Sequence, residues 1–149
     1  DEDADELRSK VRSCVGEWFA DDARLFSCVS LTNNAYTFTY VGPERVLEID
    51  SSSTVECCFC PILHVTSYGT LDEDGFGGRT EDNQGLKINY TLVSLDKDNN
   101  GLLRSVTYAI SGHDKKGLPV TGSAVQYANK RVMTLNIPGA PPLNMTYHK

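Results

Sequence analysis

Short runs in which apolar and polar residues alternate fill most of the chain after Leu25, and this period of two limits the fold more than any other feature. Turn residues such as Asn33-Asn34, Gly42-Pro43 and Asn99-Asn100-Gly101 separate the runs. Because no helical segment lies between them to make a parallel crossover, the pattern predicts an antiparallel meander that closes into a β-barrel over about residues 14–148. The predicted strands are residues 25–31, 35–41, 44–50, 54–68, 86–95, 102–111, 118–128, 131–137 and 142–148.

The first residues follow a helical period instead. Apolar residues recur at the spacing of an amphipathic helix: Leu7, Val11, Cys14, Val15, Trp18 and Phe19. Asp3 is a suitable N-cap, and Gly16 costs roughly 1 kcal/mol inside a helix. We therefore predict a helix over about residues 3–15, with residues 15–19 as an extended strand. An unbroken helix through the whole pattern would favour the alternative α+β fold, a helix packed on a curved antiparallel sheet as in cystatin-like or nuclear-transport-factor-like domains.

The longest predicted connection is residues 69–85, which contain five glycines and five acids. A loop of this length is typical of a mobile lid or an interaction surface. With 149 residues, of which 40% are hydrophobic, the chain can bury one core, and we predict a single domain over residues 1–149.

The formal net charge of −6 at pH 7 limits the partners. Nucleic-acid binding requires clustered Lys and Arg, and docking on an anionic membrane requires a basic surface, so we expect neither partner. The apolar runs are also much shorter than a membrane-spanning helix, and we expect a soluble protein.

Three of the five cysteines, Cys57, Cys58 and Cys60, lie close together in an apolar run that is predicted to be a strand. A zinc site requires a second cysteine pair at turn spacing, and a redox C-x-x-C unit begins a helix, so neither interpretation fits. We predict a disulfide framework in which two of the three bond to Cys14 and Cys28. The remaining cysteine is then free and buried, or it links two chains in a disulfide-linked dimer. A non-covalent dimer is the alternative.

Two N-x-[ST] sequons, at Asn89 and Asn144, agree with an extracellular disulfide framework. Each asparagine alternates with apolar residues and therefore lies on the polar face of its predicted strand, where a glycan could be attached. The acidic beginning of the sequence suits a mature chain from which a signal peptide has been removed. We expect a secreted, extracellular glycoprotein.

Sequence motifs of catalysis, metal binding and cofactor binding are missing. The stretch from Asp96 to Gly101 resembles half of an EF-hand loop, but Thr107 occupies the position of the bidentate Glu, so a hairpin turn explains it better. The three histidines are scattered along the chain. We expect a non-enzymatic binding protein without a cofactor or a metal ion.

Aromatic residues on the predicted strands are the remaining candidates for a site. An inward Tyr hydroxyl needs a polar partner, which suits a ligand cavity with polar anchors. A solid core filled by aromatic rings explains the same residues equally well, and the sequence leaves both alternatives open. The candidate ligand-binding residues are Trp18, Tyr36, Phe38, Tyr40, Tyr90, Tyr108 and Tyr127.

Residues 13–42 resemble the first part of arthropod lipocalins, especially those of tick saliva. The matching features are Trp18-Phe19, Asp21-Asp22, Cys28-Val29 and the Thr-rich aromatic run 37–40, and Gly16-Glu17-Trp18 fits the general lipocalin pattern Gly-x-Trp. The resemblance implies a lipocalin-like barrel that sequesters a small hydrophobic or amphipathic ligand, either a biogenic amine or a lipid mediator. It also implies that a host protein is a possible partner.

Each ligand class implies its own charged anchor. An amine requires an inward carboxylate beside aromatic rings, and the acids inside strand runs are Glu17, Glu48 and Glu56. A lipid mediator requires an arginine at the mouth of the barrel, and the candidates are Arg45, Arg104 and Arg131.

An alternative function belongs to a different class. The barrel would then be solid, and the protein would be a secreted interaction or inhibitor module. It would meet a host immune protein or a protease through surface loops such as residues 69–85.

Overall fold

The computed structural model describes residues 2–26, 28–41, 46–72 and 77–149. These residues form one helix, α1 (Glu2–Ser13), and eleven strands that pair only in antiparallel ladders. The strands are β1 (Gly16–Ala20), β2 (Ala23–Phe26), β3 (Val29–Tyr40), β4 (Val46–Glu56), β5 (Leu63–Asp72), β6 (Gly77–Asp82), β7 (Lys87–Lys97), β8 (Leu103–His113), β9 (Pro119–Gln126), β10 (Lys130–Asn136) and β11 (Leu143–His148). No helix among these residues has the length and apolarity to cross a membrane.

Ten of the strands close into a barrel. From β3 to β11 each strand pairs with the next one along the chain, and β1 pairs with both β3 and β11, which completes the ring. The short β2 pairs with β3 next to β1 and extends the wall. The predicted antiparallel barrel with an N-terminal helix is therefore confirmed. The alternative fold, a helix packed on an open curved sheet, is not formed. Lipocalins share this up-and-down closure but have eight strands.

Helix α1 covers one end of the barrel, which we name the closed end. Leu7 and Val11 are buried, and Val11 lies with Leu71 of β5 and Leu103 of β8 in the same small pocket. The Glu6 carboxylate accepts a hydrogen bond from the Leu103 backbone N–H, which fastens the helix to β8. The opposite end carries the β2–β3, β4–β5, β6–β7, β8–β9 and β10–β11 connections, and we name it the open end.

The helix ends before the apolar helical pattern does. Gly16 has a φ of 132°, a conformation that residues with a Cβ rarely adopt, and the chain changes there from helix to strand. The helix thus ends at Ser13, and the predicted extended strand over residues 15–19 corresponds to β1.

The structure corrects the predicted loop at residues 69–85, because the end of β5 and all of β6 lie within it. A Cβ on Gly69 would lie 1.9 Å from the Arg79 carbonyl oxygen, so this glycine permits two strand backbones to approach closely. The content of glycine and acidic residues therefore predicted a loop in a segment that mostly forms paired strands. Residues 73–76 and the predicted turn at Gly42-Pro43 lie outside the described residues.

A second correction concerns Asn33-Asn34, which the sequence predicted as a turn. The pair forms a bulge inside β3, and Asn33 has a φ of 51°. The buried Asn34 side chain donates hydrogen bonds to the carbonyl oxygens of Asp21 (3.1 Å) and Leu31 (3.0 Å) and accepts one from the Ser53 hydroxyl (2.8 Å). An amide with three partners holds together the backbone segments that the bulge separates.

Three hairpin turns repeat one pattern, Asp-x-x-Gly-Leu, at residues 82–86, 98–102 and 114–118. In each turn the Asp Oδ1 atom accepts hydrogen bonds from the backbone N–H groups two and four residues later. The glycines have φ values of 86°, 78° and 82°, for which Gly is the favoured residue. The middle copy confirms the predicted hairpin turn at Asn99-Asn100-Gly101.

Replacing Asn34 by alanine should lower the free energy of unfolding by about 2–3 kcal/mol, because two backbone carbonyls and the Ser53 hydroxyl lose their buried partner. Urea denaturation followed by tryptophan fluorescence measures the change. The control Asn136→Ala, at an exposed end of β10, should change it by less than about 0.5 kcal/mol. Equal effects of the two substitutions would contradict a stabilising role for the amide in the bulge.

Candidate functional site

A cavity of about 280 Å³ lies inside the barrel and reaches the connections at the open end. One wall is apolar and is built by Leu25, Leu31, Met133, Leu135, Ile137, Leu143 and Met145. The wall formed by β4, β5 and β6 adds hydroxyl groups among its apolar side chains, from Ser51, Ser53, Ser67 and Thr80. The volume is near the lower limit of the roughly 300–1,000 Å³ typical of small-molecule sites. Such walls suit a small amphipathic ligand.

Arg131 forms the floor of this cavity. Its side chain points inward from β10, in phase with Met133 and Leu135, and it is buried. The guanidinium carbon lies 5.2 Å from the centre of the Tyr90 ring and 5.8 Å from the centre of the Tyr36 ring. Both distances permit cation–π attraction.

No carboxylate among the described residues forms an ion pair with Arg131. Its Nη1 atom donates a hydrogen bond to Gln126 Oε1 at 3.3 Å. Burial opposes the charged form, but the facing Tyr90, Tyr36 and Tyr108 hold the pKa of Arg131 above its ordinary value. The guanidinium therefore remains cationic, and a buried cation without an anion lowers the stability of the fold.

The Tyr36 hydroxyl is a second unsatisfied group at the floor. It is buried and has no hydrogen-bond partner among the described residues. Its ring stacks on Trp18 with centroids 5.7 Å apart and meets the Tyr147 ring edge-on at 4.8 Å, so its position is fixed. Burial raises the pKa of Tyr36, and it raises the pKa of Tyr147 to about 12. Both phenols thus stay protonated, and the Tyr36 hydroxyl keeps a donor that no described residue uses.

Trp18 and Cys14 lie below the floor, between β1 and α1. Trp18 is 0% exposed, and its Nε1 atom donates a hydrogen bond to the Cys14 carbonyl oxygen at 2.9 Å. Burial raises the pKa of the Cys14 thiol. A pocket of about 30 Å³ beside Cys14 and Arg131 has room for about one water molecule. Trp18 therefore supports the floor from below and does not line the cavity.

The structure brings some of the predicted ligand-binding residues together. Tyr36, Phe38 and Tyr90 line the cavity. Tyr108 and Tyr127 line the small pocket at the closed end, on the other side of the floor. Part of the aromatic interior is therefore packed core and part of it faces a cavity, which combines the two alternatives that the sequence left open.

Two other predicted ligand residues do not reach the cavity. Tyr40 is 41% exposed, and Glu17 lies on the outer face of β1 because it alternates with the buried Trp18. Among the other candidate acids, Glu56 is exposed, and the side chain of Glu48 lies outside the described part of the structure. The predicted inward carboxylate for an amine is thus not found at Glu17 or Glu56.

The three candidate arginines are also in different environments. Arg104 is exposed and pairs with Asp96 at 2.6 Å on the outer surface, and Arg45 lies outside the described residues. Arg131 lies deep in the barrel and not at its mouth. Its phase with Met133 and Leu135 in the sequence indicated an inward position, but arginine on a strand is usually expected to face solvent.

Four of the five cysteines gather at the open end. Cys57 and Cys60 are bonded, with Cα atoms 5.5 Å apart, in a turn between β4 and β5 and not in a strand. The Cys58 backbone N–H donates a hydrogen bond to the Cys28 Sγ atom at 3.3 Å. Cys14 lies at the closed end, a barrel length of roughly 30 Å away, so the predicted bond between Cys14 and the cluster is wrong.

Both sequon asparagines, Asn89 and Asn144, are exposed on the outer face of the barrel. Asn144 Oδ1 accepts a hydrogen bond from the Thr134 hydroxyl at 2.9 Å. Glycosylation of either residue stays a prediction. Within the described ranges, no group of three or more His, Cys, Asp or Glu side chains is arranged to hold a metal ion.

No family model matches the chain, and no curated protein or solved structure matches it. The fold and the geometry of the cavity are therefore the features of the protein that point to a function.

Replacing Arg131 by methionine should raise the free energy of unfolding by about 1–2 kcal/mol, because an apolar side chain of similar length removes a buried, unneutralised charge. Chemical denaturation of the ligand-free protein measures it. The matched control Arg104→Met removes an exposed arginine and should change stability by less than about 0.5 kcal/mol. A variant at position 131 that is clearly less stable than the wild type would show that the charge is already compensated.

The buried phenols predict a loss of stability at alkaline pH. Below about pH 10, Tyr147 is protonated in both the folded and the unfolded chain and adds no pH dependence. Above this, the unfolded chain loses the proton while the folded protein keeps it up to about pH 12, so the free energy of unfolding falls by about 3 kcal/mol. Urea titrations at increasing pH should show a smaller fall for Tyr147→Phe, and an unchanged fall would contradict the assignment.

Proposed function

We propose that the protein binds a small amphipathic acid in the barrel cavity and performs no chemistry on it. One observation carries this proposal: the buried guanidinium of Arg131, which no described carboxylate neutralises, forms the floor of a cavity that is open at the opposite end. A charged side chain that is buried in a cavity and lowers the stability of the fold is typical of a binding site.

The buried guanidinium at the floor matches the charge of a carboxylate. The carboxylate would accept charge-assisted hydrogen bonds from Arg131, and the Tyr36 hydroxyl, which is fully covered in the empty protein, would join them only after a shift that uncovers it. The apolar part of the ligand would then extend along Met133, Leu135 and Met145 toward the open end. Binding would neutralise the buried charge and cover apolar surface in a single step.

An amine fits this cavity less well than an acid. Its ammonium group would meet the positive charge of Arg131 at the floor. Asp82 is the acid among the cavity-lining residues, but it lies in the β6–β7 turn at the open end, away from the floor, where its Oδ1 atom accepts the backbone N–H groups of Gln84 and Leu86. The geometry therefore favours the lipid-mediator class over the biogenic amines.

The cavity also limits the size of the ligand and its polarity. A volume of about 280 Å³ favours an acid with a medium-length chain. The Ser53 hydroxyl already donates to Asn34, and the Ser51 and Ser67 hydroxyls bond each other, but their oxygens can still accept hydrogen bonds from hydroxyl groups on that chain. We therefore propose a medium-chain fatty acid or an oxygenated derivative of one.

The place of action belongs to the same proposal. The closed up-and-down barrel supports the resemblance to arthropod lipocalins at the level of architecture. The Cys57–Cys60 bond and the two exposed sequons support an oxidising, extracellular setting. The alternative of an interaction module that acts through surface loops such as residues 69–85 has less support than ligand binding, because β5 and β6 occupy most of that segment.

Ligand displacement tests the proposal with three ligands of equal chain length: decanoic acid, its methyl ester and decylamine. Each competes with a dansyl-labelled fatty acid, whose fluorescence increases when it enters an apolar cavity. The acid should bind at least about tenfold more tightly than the ester or the amine, because charged hydrogen bonds contribute about 1.5–3 kcal/mol.

Two arginine variants complete the design. Arg131→Met should weaken binding of the acid by about 10–100-fold and leave binding of the ester nearly unchanged. Arg104→Met, on the outer surface, should bind all three ligands as the wild type does. Failure of the labelled acid to bind, or equal binding by the wild type and Arg131→Met, would contradict the proposal.

A further inference from the structure

Cys28 and Cys58 are two exposed thiols that face each other at the open end. The Cys58 backbone N–H donates to Cys28 Sγ at 3.3 Å, and neither cysteine is bonded to another. The other cysteines are not available as partners. Cys57 is bonded to Cys60, and Cys14 is buried at the closed end. The geometry thus leaves one further pairing for this chain.

We propose that Cys28 and Cys58 form a second disulfide bond, which ties the β2–β3 turn to the β4–β5 connection and slows exchange of the cavity ligand. The pairing depends on the geometry of the two thiols alone. Its effect on ligand exchange rests on the proposed function.

The two thiols are suited to oxidation by disulfide exchange with a small disulfide such as oxidised glutathione. The hydrogen bond from the Cys58 thiol lowers the pKa of Cys28, which favours the Cys28 thiolate as the first nucleophile. The thiolate attacks the glutathione disulfide, forms a mixed disulfide and releases one glutathione thiolate, which takes up a proton. Cys58 then loses its proton, attacks the Cys28 sulfur and releases the second glutathione. Two electrons and two protons pass to the oxidant, which becomes two thiols.

The β2–β3 turn lies beside the weakest part of the barrel wall. Strand β2 pairs only with β3 among the described strands, through Ala23, Arg24 and Phe26. On its other side, β11 pairs with β1 only at its last residues and forms no ladder with β2. Leu25 and Leu143, which line the cavity, therefore lie on the two sides of a seam without backbone hydrogen bonds.

A bond between Cys28 and Cys58 would restrain this seam. Cys28 lies in the turn at the end of β2, and Cys58 lies in the connection that follows β4, the strand next to β3. The bond would fix the end of the β2–β3 hairpin to the neighbouring hairpin and limit its movement away from β11. Local openings involve segments with few backbone hydrogen bonds, so this restraint should slow ligand entry and release.

Peptide mapping tests the pairing without reference to any ligand. Trypsin places Cys28 in residues 25–45, the three clustered cysteines in residues 46–79, and Cys14 in residues 13–24. After oxidation in a glutathione buffer, the first two peptides should be disulfide-linked, and Cys14 should react with iodoacetamide only after unfolding. The link should persist in the Cys57→Ser/Cys60→Ser double variant and be lost in Cys58→Ser. A link that survives in Cys58→Ser, or free Cys28 in the oxidised wild type, would overturn the pairing.

Stopped-flow dissociation of the dansyl-labelled fatty acid tests the effect on exchange. Release should be severalfold faster from Cys28→Ser and from Cys58→Ser than from the oxidised wild type, with all three proteins verified as folded by circular dichroism. Adding a phosphine reductant should accelerate release from the wild type to the rate of Cys28→Ser. The same reductant should leave Cys28→Ser unchanged, which controls for loss of the Cys57–Cys60 bond.

The two experiments separate the possible failures. Equal release rates in proteins whose pairing has been mapped would overturn the effect on exchange and leave the bond intact. If the labelled acid binds to none of the proteins, the proposed function fails, and peptide mapping still decides whether the second bond forms.

Discussion

The barrel depends on the five residues of β1, because this strand pairs with β3 on one side and with β11 on the other. Without it, β11 and the part of β3 that β2 does not cover would be exposed edges. Helix α1 delivers β1 to this position through the turn at Gly16, and Trp18 then packs inward under the floor of the cavity. Since β1 meets β11 only at Phe19 and Ala20, closure is complete near the closed end and weak beside β2. One short strand thus determines both the solid floor and the seam in the wall.

Arg131 has opposite effects on the stability of the empty protein and on the proposed binding of an acid. A folded chain without ligand has to bury a cation whose surroundings are tyrosine rings and one amide. Ring faces attract a cation by about 1–2 kcal/mol, which is less than the several kcal/mol that desolvation of a charge costs. A ligand carboxylate would supply the missing attraction. The same residue is therefore expected to destabilise the empty protein and to select an acid over an ester or an amine.

The sequence predicted the regular part of this fold and missed its irregular parts for identifiable reasons. Alternation with a period of two identified the later strands closely, because those strands bury one face. The glycine-rich composition of residues 69–85 suggested a loop, but Gly69 lies in a strand where two backbones approach closely. Asn33-Asn34 suggested a turn, but the pair forms a bulge, because the Asn34 amide replaces the backbone hydrogen-bond partners that are missing there. The three Asp-x-x-Gly-Leu turns repeat one pattern in the sequence, but alternation with a period of two does not identify it, because the pattern lies between the strands. The site residue Arg131 was a candidate, but a strand pattern cannot give the depth of a side chain in a barrel.

The distribution of the cysteines follows from the difference between the two ends. At the closed end, the buried face of α1 and the hydrogen bond from the Leu103 N–H to Glu6 already hold the helix against the strands. Cys14 is buried there as a thiol that forms no disulfide bond. No described helix covers the open end, which has to admit a ligand and so cannot be filled with a core. Covalent bonds between turns stabilise such an end without occupying the cavity. The Cys57–Cys60 bond restrains one turn internally, and a Cys28–Cys58 bond would join two turns across the strand pair next to the seam.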